Sequence, residues 1–366
     1  MSESIPVPLG DSWPELLTEL LSGRHLTRSS AAWAMAQVME GNASPSQMAA
    51  FIVALRAKGE DAAEVSGLVE AMLDHAVRIT VTQPALDIVG TGGDQAHMVN
   101  ISTMAAVVAA ATGARVVKHG NRAASSQCGS ADVLEALGVA IDLGPAGVVE
   151  CVDALGIGFC FAPRFHPAMR HAAPTRREIG IPTVFNVLGP LANPASPAAA
   201  LIGCADERLG SVMATVLAQS GQRTLVVRGA DGIDEVTTHG VTQVWDATRG
   251  DESVVDGRID AQALGIAVPD AAALRGGDAA FNARIARDVL SGRTEGALAA
   301  VRDAVALNAA TALVADSAAR GEPITGDLNS RVAEHLVRSF DAMASGAAAD
   351  LLDRWSVLSA QLATDP

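Results

Sequence analysis

Two apolar, β-branched runs, LDIV at 86–89 and RVVK at 115–118, each end in a glycine-bearing segment and then pass into a helix-like stretch. The segments are GTGGD, Gly90 to Asp94, and KHGNRAASSQCGSAD, Lys118 to Asp132. A strand that stops in a glycine loop turns several free backbone N–H groups toward one point, together with the positive end of the following helix, which suits a phosphate. Two such loops in succession predict a doubly phosphorylated ligand. Further strand candidates, IGFCF at 157–161, AALIGC at 199–204 and TLVVRG at 224–229, continue the alternation with helical stretches. This is the signature of an α/β fold, a mostly parallel sheet covered by helices, with its ligand at the carboxyl ends of the strands.

Composition agrees. The chain has no Tyr, seven Phe and four Trp, so its core must be built from Ala, Val, Leu and Ile, as in a helix-covered sheet. Its 366 residues exceed one small domain and predict two. A formal net charge of -15 argues against nucleic acid or an anionic membrane as partner, so any anion must be caught locally. Cys128, Cys151, Cys160 and Cys204 show no CxxC or CxxH spacing and read as reduced thiols of a cytoplasmic protein. The N-terminus has no signal-peptide pattern, and the apolar stretch Val99 to Ala114 is broken by Ser, Thr and Gly, so no membrane span is expected.

From Trp13 to about Arg78, apolar residues recur at three- and four-residue spacing, predicting a small all-helical domain over 1–83. Ser44, Pro45 and Gln47 read as the start of one of its helices and Lys58-Gly59 as its stop. Helices within about 167–182 are expected to complete it, and 84–366 to form the larger α/β domain. The stretch Phe161 to Pro194 is the most basic in the chain, with Arg164, Arg170, Arg176, Arg177, His166 and His171. Its early part reads as helix and its later part as a Gly-Pro-rich loop, and here a carboxylate would be caught. The C-terminal third reads as mostly helical, with a looser region GGDAAFNA at 276–283 to which no chemistry is assigned.

Taken in order, GTGGD, NIST at Asn100–Thr103, KHGNRAASSQCGSADVLEALG, HPAMRHAAPTRREIG, NVLGPLANP, DGIDE and LNAA at Leu307–Ala310 resemble the successive motifs of the anthranilate phosphoribosyltransferases. The resemblance covers nearly the whole chain. It implies transfer of the 5-phosphoribosyl group from 5-phosphoribosyl 1-pyrophosphate (PRPP) to the amine of anthranilate. It also implies dependence on Mg²⁺, a homodimer, and an active site in a hinge cleft between the helical and α/β domains.

Each motif has a physical role beside a plainer one. In GTGGD, Gly90 and Gly93 permit backbone approach to pyrophosphate, whereas Asp94 would be repelled unless it faces ribose hydroxyls, amides or a magnesium ion; alone, the motif is also an ordinary tight turn. Asn100, Ser102 and Thr103 open a helix, where hydroxyls and the dipole hold a phosphate oxygen or simply cap the helix. The resemblance assigns Ser102 to magnesium, and Asn100, Ile101, Thr103 and Met98 to the donor. In the second loop, Lys118 supplies charge, Gly120 permits the turn, Asn121 offers both donor and acceptor atoms, and Ser125 and Ser126 offer hydroxyls and amides. Resemblance adds His119, Arg122, Ala123, Ala124 and Ser130 to the donor site, and His166, Gly189, Pro190, Gly90 and Asn121 to the acceptor site.

Asp234 and Glu235, side by side after a strand, make sense near pyrophosphate only with a bridging Mg²⁺, since their own charge repels it; otherwise they are a solvated acidic turn. Arg176 is the candidate for the anthranilate carboxylate, because a guanidinium fork matches a carboxylate in two hydrogen bonds. Lys118, His119 and Asn121 are the nearest to catalytic groups in chemistry that rests on placement and electrostatics. Two positions depart from the family pattern: Gln95 stands where a Gly is usual and Met98 where a Thr is usual. A class II nucleoside phosphorylase would share the fold but would be expected to carry KMSGR in place of KHGNR. A non-catalytic nucleic-acid-binding relative is opposed by the acidic charge and by the retained Asp234-Glu235 pair.

Overall fold

The strand-like runs pair into one seven-stranded sheet in the computed structural model, which describes residues 12–123 and 127–364. The strands are β1 Leu86–Gly90, β2 Val116–Gly120, β3 Ile157–Phe161, β4 Ala199–Gly203, β5 Arg223–Gly229, β6 Val241–Asp246 and β7 Val255–Asp260. Their order is β3-β2-β1-β4-β5-β6-β7. β1 to β5 are parallel, with Leu86 beside both Val116 and Ala199, while β6 and β7 run as an antiparallel hairpin at the edge. The strand order reverses between β1 and β4, which makes the carboxyl ends of these two strands the topological switch point where such sheets bind ligands.

The hairpin corrects the expectation of a mostly helical C-terminal third. VTQVWD lacks the continuous apolar run of a central strand because Thr242, Gln243 and Asp246 interrupt it, although Val244 and Trp245, on opposite faces, are both buried. A second correction concerns NVLGP. Phe185–Leu191 is helical, not loop, and carries Pro190 inside it.

Small aliphatic residues fill the core as composition requires. The helix Ile101–Ala111 buries nearly all its residues, and the 22-residue helix Leu298–Ala319 packs against it and against β4 and β5. Leu298–Ala319 is long and apolar enough to cross a membrane by length and composition only, and most of it is buried in the core. The final helix, Ala347–Thr364, buries Trp355 and packs on the helices Pro145–Leu155 and Ile101–Ala111.

The described residues divide into two compact units. One comprises residues up to Ala76 with His166–Leu188, and the other Val77–Phe165 with the residues from Gly189 on. The first boundary thus falls before 83, and the inserted segment runs beyond the 167–182 of the sequence reading. In the helical unit, Trp13 meets Trp33 at 5.4 Å and Phe51 at 5.9 Å between ring centroids. The helix Pro45–Lys58 starts in a capping box, with Ser44 Oγ accepting from the Gln47 N–H and Gln47 Oε1 from the Ser44 N–H, and Gly59 ends it.

Candidate active site

Asp234 lies over the switch point. A Cβ placed on Gly203, at the end of β4, would sit 1.5 Å from the Asp234 carbonyl oxygen, and one on Gly90, at the end of β1, 2.2 Å from its Oδ2. Only glycine at both strand ends leaves room for Asp234, its backbone over Gly203 and its carboxylate over Gly90. The carboxylate is tied to the first glycine loop, where the Gly92 N–H donates to Asp234 Oδ2 at 2.7 Å. Asn308, fully buried on Leu298–Ala319, fixes the acidic turn from behind: its Oδ1 accepts from the Val236 N–H at 2.9 Å and its Nδ2 donates to the Val236 carbonyl at 3.0 Å.

The acids here oppose one another. Burial, followed by the neighbouring Asp94 carboxylate, pushes the Asp234 carboxyl up to about 7. Burial and the Asp234 charge hold Glu235 well above the usual carboxylate range, against the pull of Lys118. Among the described residues no group of three or more His, Cys, Asp or Glu side chains is arranged to hold a metal unaided. A crowded set of carboxylates with one lysine as counter-charge still favours a divalent cation that brings its own further ligands.

Lys118, on β2, is buried, with its ammonium donating to the Ile88 carbonyl and, at 3.3 Å, to Ser102 Oγ. Burial pulls its pKa down while Asp87 and Glu235 pull it back. Asp87 is a buried acid on β1 that the sequence reading passed over. Its oxygens accept from the His119 N–H at 3.3 Å and from Asn193 Nδ2 at 2.8 Å, and burial pushes its carboxyl up to about 6. Asn193 also donates to the Val117 carbonyl, and His119 Nδ1 lies 3.0 Å from the Gly189 carbonyl, so the latter half of NVLGPLANP is bound to β1 and β2 at the base of the site.

The second loop is braced internally. Asp132 Oδ2 accepts from the N–H groups of Ala123 and Gly129, each at 2.9 Å, and Arg122 pairs with Asp132 and Glu135 at 3.0 and 2.9 Å. The Ala123 amide and the Arg122 charge, both expected at the donor, are therefore already engaged in this structure. Asn121 is exposed, its Oδ1 accepting from the Arg122 N–H, and Ser130 Oγ donates to the Asn121 carbonyl. Ala124, Ser125 and Ser126 lie outside the described residues.

At the helix start, Asn100 makes no side-chain capping bond, contrary to its plainer reading. Its Nδ2 donates instead to the Cys128 carbonyl at 3.0 Å, and its Oδ1 accepts from Asn282 Nδ2 at 2.8 Å. Ile101 and Thr103 are buried, and Thr103 Oγ1 has no hydrogen-bond partner among the described residues. Met98 forms a backbone bridge with Arg275 and packs its partly buried side chain on the hydrophobic core. Gln95 has a φ of 57°, in the left-handed region where the family's usual glycine is at ease.

In the helical unit, Arg176 stands on the short helix Ala173–Ile179 with its guanidinium 5.0 Å from the centroid of the Phe185 ring. No carboxylate pairs with it among the described residues, and burial lowers its pKa. His166 is buried ahead of the 3₁₀ turn Pro167–His171; Pro190 is buried, while Gly189 is partly exposed. Arg170 donates to the Pro167 carbonyl, and Arg164 pairs with Asp142. The residues the sequence reading missed, Asp87, Asp132, Asn193, Asn282 and Asn308, are all polar and all bind backbone or other side chains of the site. Buried asparagines inside apolar stretches were the available signal.

Residues 14–76 match the glycosyl transferase family helical bundle domain and residues 82–349 the glycosyl transferase family a/b domain. The anthranilate phosphoribosyltransferase of Salinispora arenicola is 54% identical over 94% of this chain and 96% of its own length; that of Saccharopolyspora erythraea is 55% identical over 97% and 98%. Among solved structures, anthranilate phosphoribosyltransferase from Thermus thermophilus is similar with a TM-score of 0.84 and 40% identity, covering 94% of this chain and 99% of that one. The Saccharomyces cerevisiae enzyme in complex with PRPP and Mg has a TM-score of 0.84 at 27% identity, covering 95% and 98%. The same yeast enzyme with 4-fluoroanthranilate has a TM-score of 0.81 at 26% identity, covering 96% and 99%. Both units are matched, and the likeness runs through the strands, glycine loops and acidic turn that converge on the switch point, so the chain belongs to the anthranilate phosphoribosyltransferase family.

Proposed function

We propose that this protein transfers the 5-phosphoribosyl group of PRPP to the amine of anthranilate, forming N-(5-phosphoribosyl)anthranilate and pyrophosphate in tryptophan biosynthesis. The observation that carries the reading is Asp234 seated on Gly90 and Gly203 at the switch point, with Glu235, Asp94 and Lys118 around it. Mg²⁺ fits this acid-rich turn, held by Asp234 and Glu235 with Ser102. When bound, it supplies positive charge that offsets the charge of pyrophosphate.

The chain's own residues bind and orient. Gly92 and Gly93 present the first loop's backbone to the donor, Ser102 and Thr103 present a helix start, and Lys118 adds a fixed charge where pyrophosphate departs. Asn121 takes the acceptor amine, and Arg176 takes the anthranilate carboxylate. Its guanidinium sits over the Phe185 ring, which favours the cation there. The aniline nitrogen is neutral and nucleophilic at pH 7, so placement and electrostatics carry the rate without a general base. The reading extends to a homodimer in the cytoplasm, with light scattering as the check on assembly.

The direct experiment follows loss of anthranilate fluorescence on adding PRPP and Mg²⁺, with EDTA as control, and counts released pyrophosphate. Matched, Mg²⁺-dependent loss is expected; none, with PRPP still bound, would mean a different acceptor. Arg176→Ala should raise the anthranilate KM by roughly tenfold or more, the cost of a lost charged hydrogen-bond pair, and leave the PRPP KM within about twofold. Equal losses for both substrates would remove Arg176 from the acceptor site.

A further inference from the structure

The segment Leu274–Asn282 grips the far ends of both glycine loops. Toward the first, the Val99 N–H donates to the Leu274 carbonyl at 3.0 Å, the Gly276 N–H donates to the His97 carbonyl at 2.8 Å, and Met98 bridges to Arg275. Toward the second, Asn282 Nδ2 donates to Asn100 Oδ1, and Asn100 Nδ2 donates to the Cys128 carbonyl. Asn282 is 2% exposed, and its own Oδ1 accepts from the Gly277 N–H at 2.9 Å.

The chemistry of this chain of amides is directional. With Gly277 holding the oxygen of Asn282, its NH₂ group must face Asn100, and Asn100 must then turn its oxygen to Asn282 and its NH₂ to Cys128. Without Asn282, the Asn100 amide is free to rotate, and the Cys128 carbonyl loses a donor whose orientation was set from outside the loop. Helix Ala279–Leu290 and the strand-end loops belong to one packed unit, so the relay has a rigid anchor.

We propose that Asn282 is a positioning residue for the phosphoribosyl donor: through Asn100 it holds the second glycine loop in register with the helix start at Ile101. This inference rests on the PRPP-dependent function proposed above. Asn282 acts through Asn100 and through its own hydrogen bond with the Cys128 side chain, and touches neither substrate in this account.

The test is calorimetric binding of PRPP in Mg²⁺ to the wild-type protein, Asn282→Ala and Asn282→Asp, with the anthranilate KM and the Tm measured alongside. Asn282→Asp keeps the acceptor for the Gly277 N–H but cannot donate to Asn100, so it carries the test if the alanine variant does not fold. PRPP binding about tenfold weaker in either variant is expected, the size of a lost buried hydrogen bond, with the anthranilate KM within about twofold. A merely structural role would lower the Tm and the yield of active protein and leave PRPP affinity unchanged. Unchanged affinity in a folded variant overturns the inference and leaves the functional reading standing. A wild-type protein that binds no PRPP overturns the functional reading itself, and the inference with it.

Discussion

The two glycine loops at the sheet's carboxyl edge are built on opposite plans. In the first, Gly92 and Gly93 have φ of 69° and 84°, and a Cβ on either would meet nothing within 4 Å. Conformation alone selects glycine there, and the space around the loop stays open. In the second, a Cβ on Gly129 would lie 2.4 Å from the Ala123 nitrogen, 2.6 Å from the Arg122 carbonyl carbon and 2.7 Å from the Asn121 oxygen, all backbone. Here packing selects glycine, and Asp132 and Asn100 lock the loop further. The difference separates a surface left free to close on a ligand from one organised before the ligand arrives.

That contrast predicts a graded series. The largest effect belongs to Gly129→Ala, since backbone atoms on all sides cannot yield; a loss of about 3 kcal/mol in denaturant unfolding is expected, with weaker PRPP binding. A variant within about 0.5 kcal/mol of wild type would show that the second loop is as open as the first.

Next comes the acid beneath the first loop. Asp234 has its carboxyl raised to about 7, so in metal-free protein it contributes stability below the ordinary carboxylate pKa that is lost as pH rises through 7. Mg²⁺ requires the ionised form. Its affinity should therefore fall roughly tenfold for each pH unit below 7, and added Mg²⁺ should raise the Tm at pH 8 far more than at about pH 5.5. A pH-independent Mg²⁺ effect would place the metal away from Asp234.

The smallest effect belongs to Gly93→Ala. With open space around the Cβ, only the left-handed backbone resists, at about 1 kcal/mol. PRPP binding should weaken modestly while unfolding stability falls by only about that 1 kcal/mol; a loss matching that of Gly129→Ala would erase the distinction between the loops.

Much of this was legible in the chain. The runs LDIV, RVVK, IGFCF, AALIGC and TLVVRG became β1 to β5 because short, largely apolar stretches between helical repeats have few other ways to be buried. The capping box at Ser44 was legible because it is local. VTQVWD and VDGRID were missed because polar and charged residues interrupt both and leave little continuous apolar signal, and the helix at Phe185 because Gly189 and Pro190 read as loop. GGDAAFNA was passed over because the partner of Asn282, Asn100, lies 182 residues away.

By itself, then, the sequence determined the alternation of strand, glycine loop and helix, the aliphatic core, and the residue types that phosphate, carboxylate and magnesium chemistry require. These follow from near-neighbour spacing and composition, which short-range physics reads directly. Only the tertiary structure decided that Gly203 is glycine because the Asp234 backbone crosses it and Gly90 because the Asp234 carboxylate lies on it, that Asp87 lies close to Lys118, and that buried asparagines tie the loops to the core. Those depend on hydrogen bonds and close contacts between residues distant in the chain, and their energies exist only once folding has brought the partners within bonding distance.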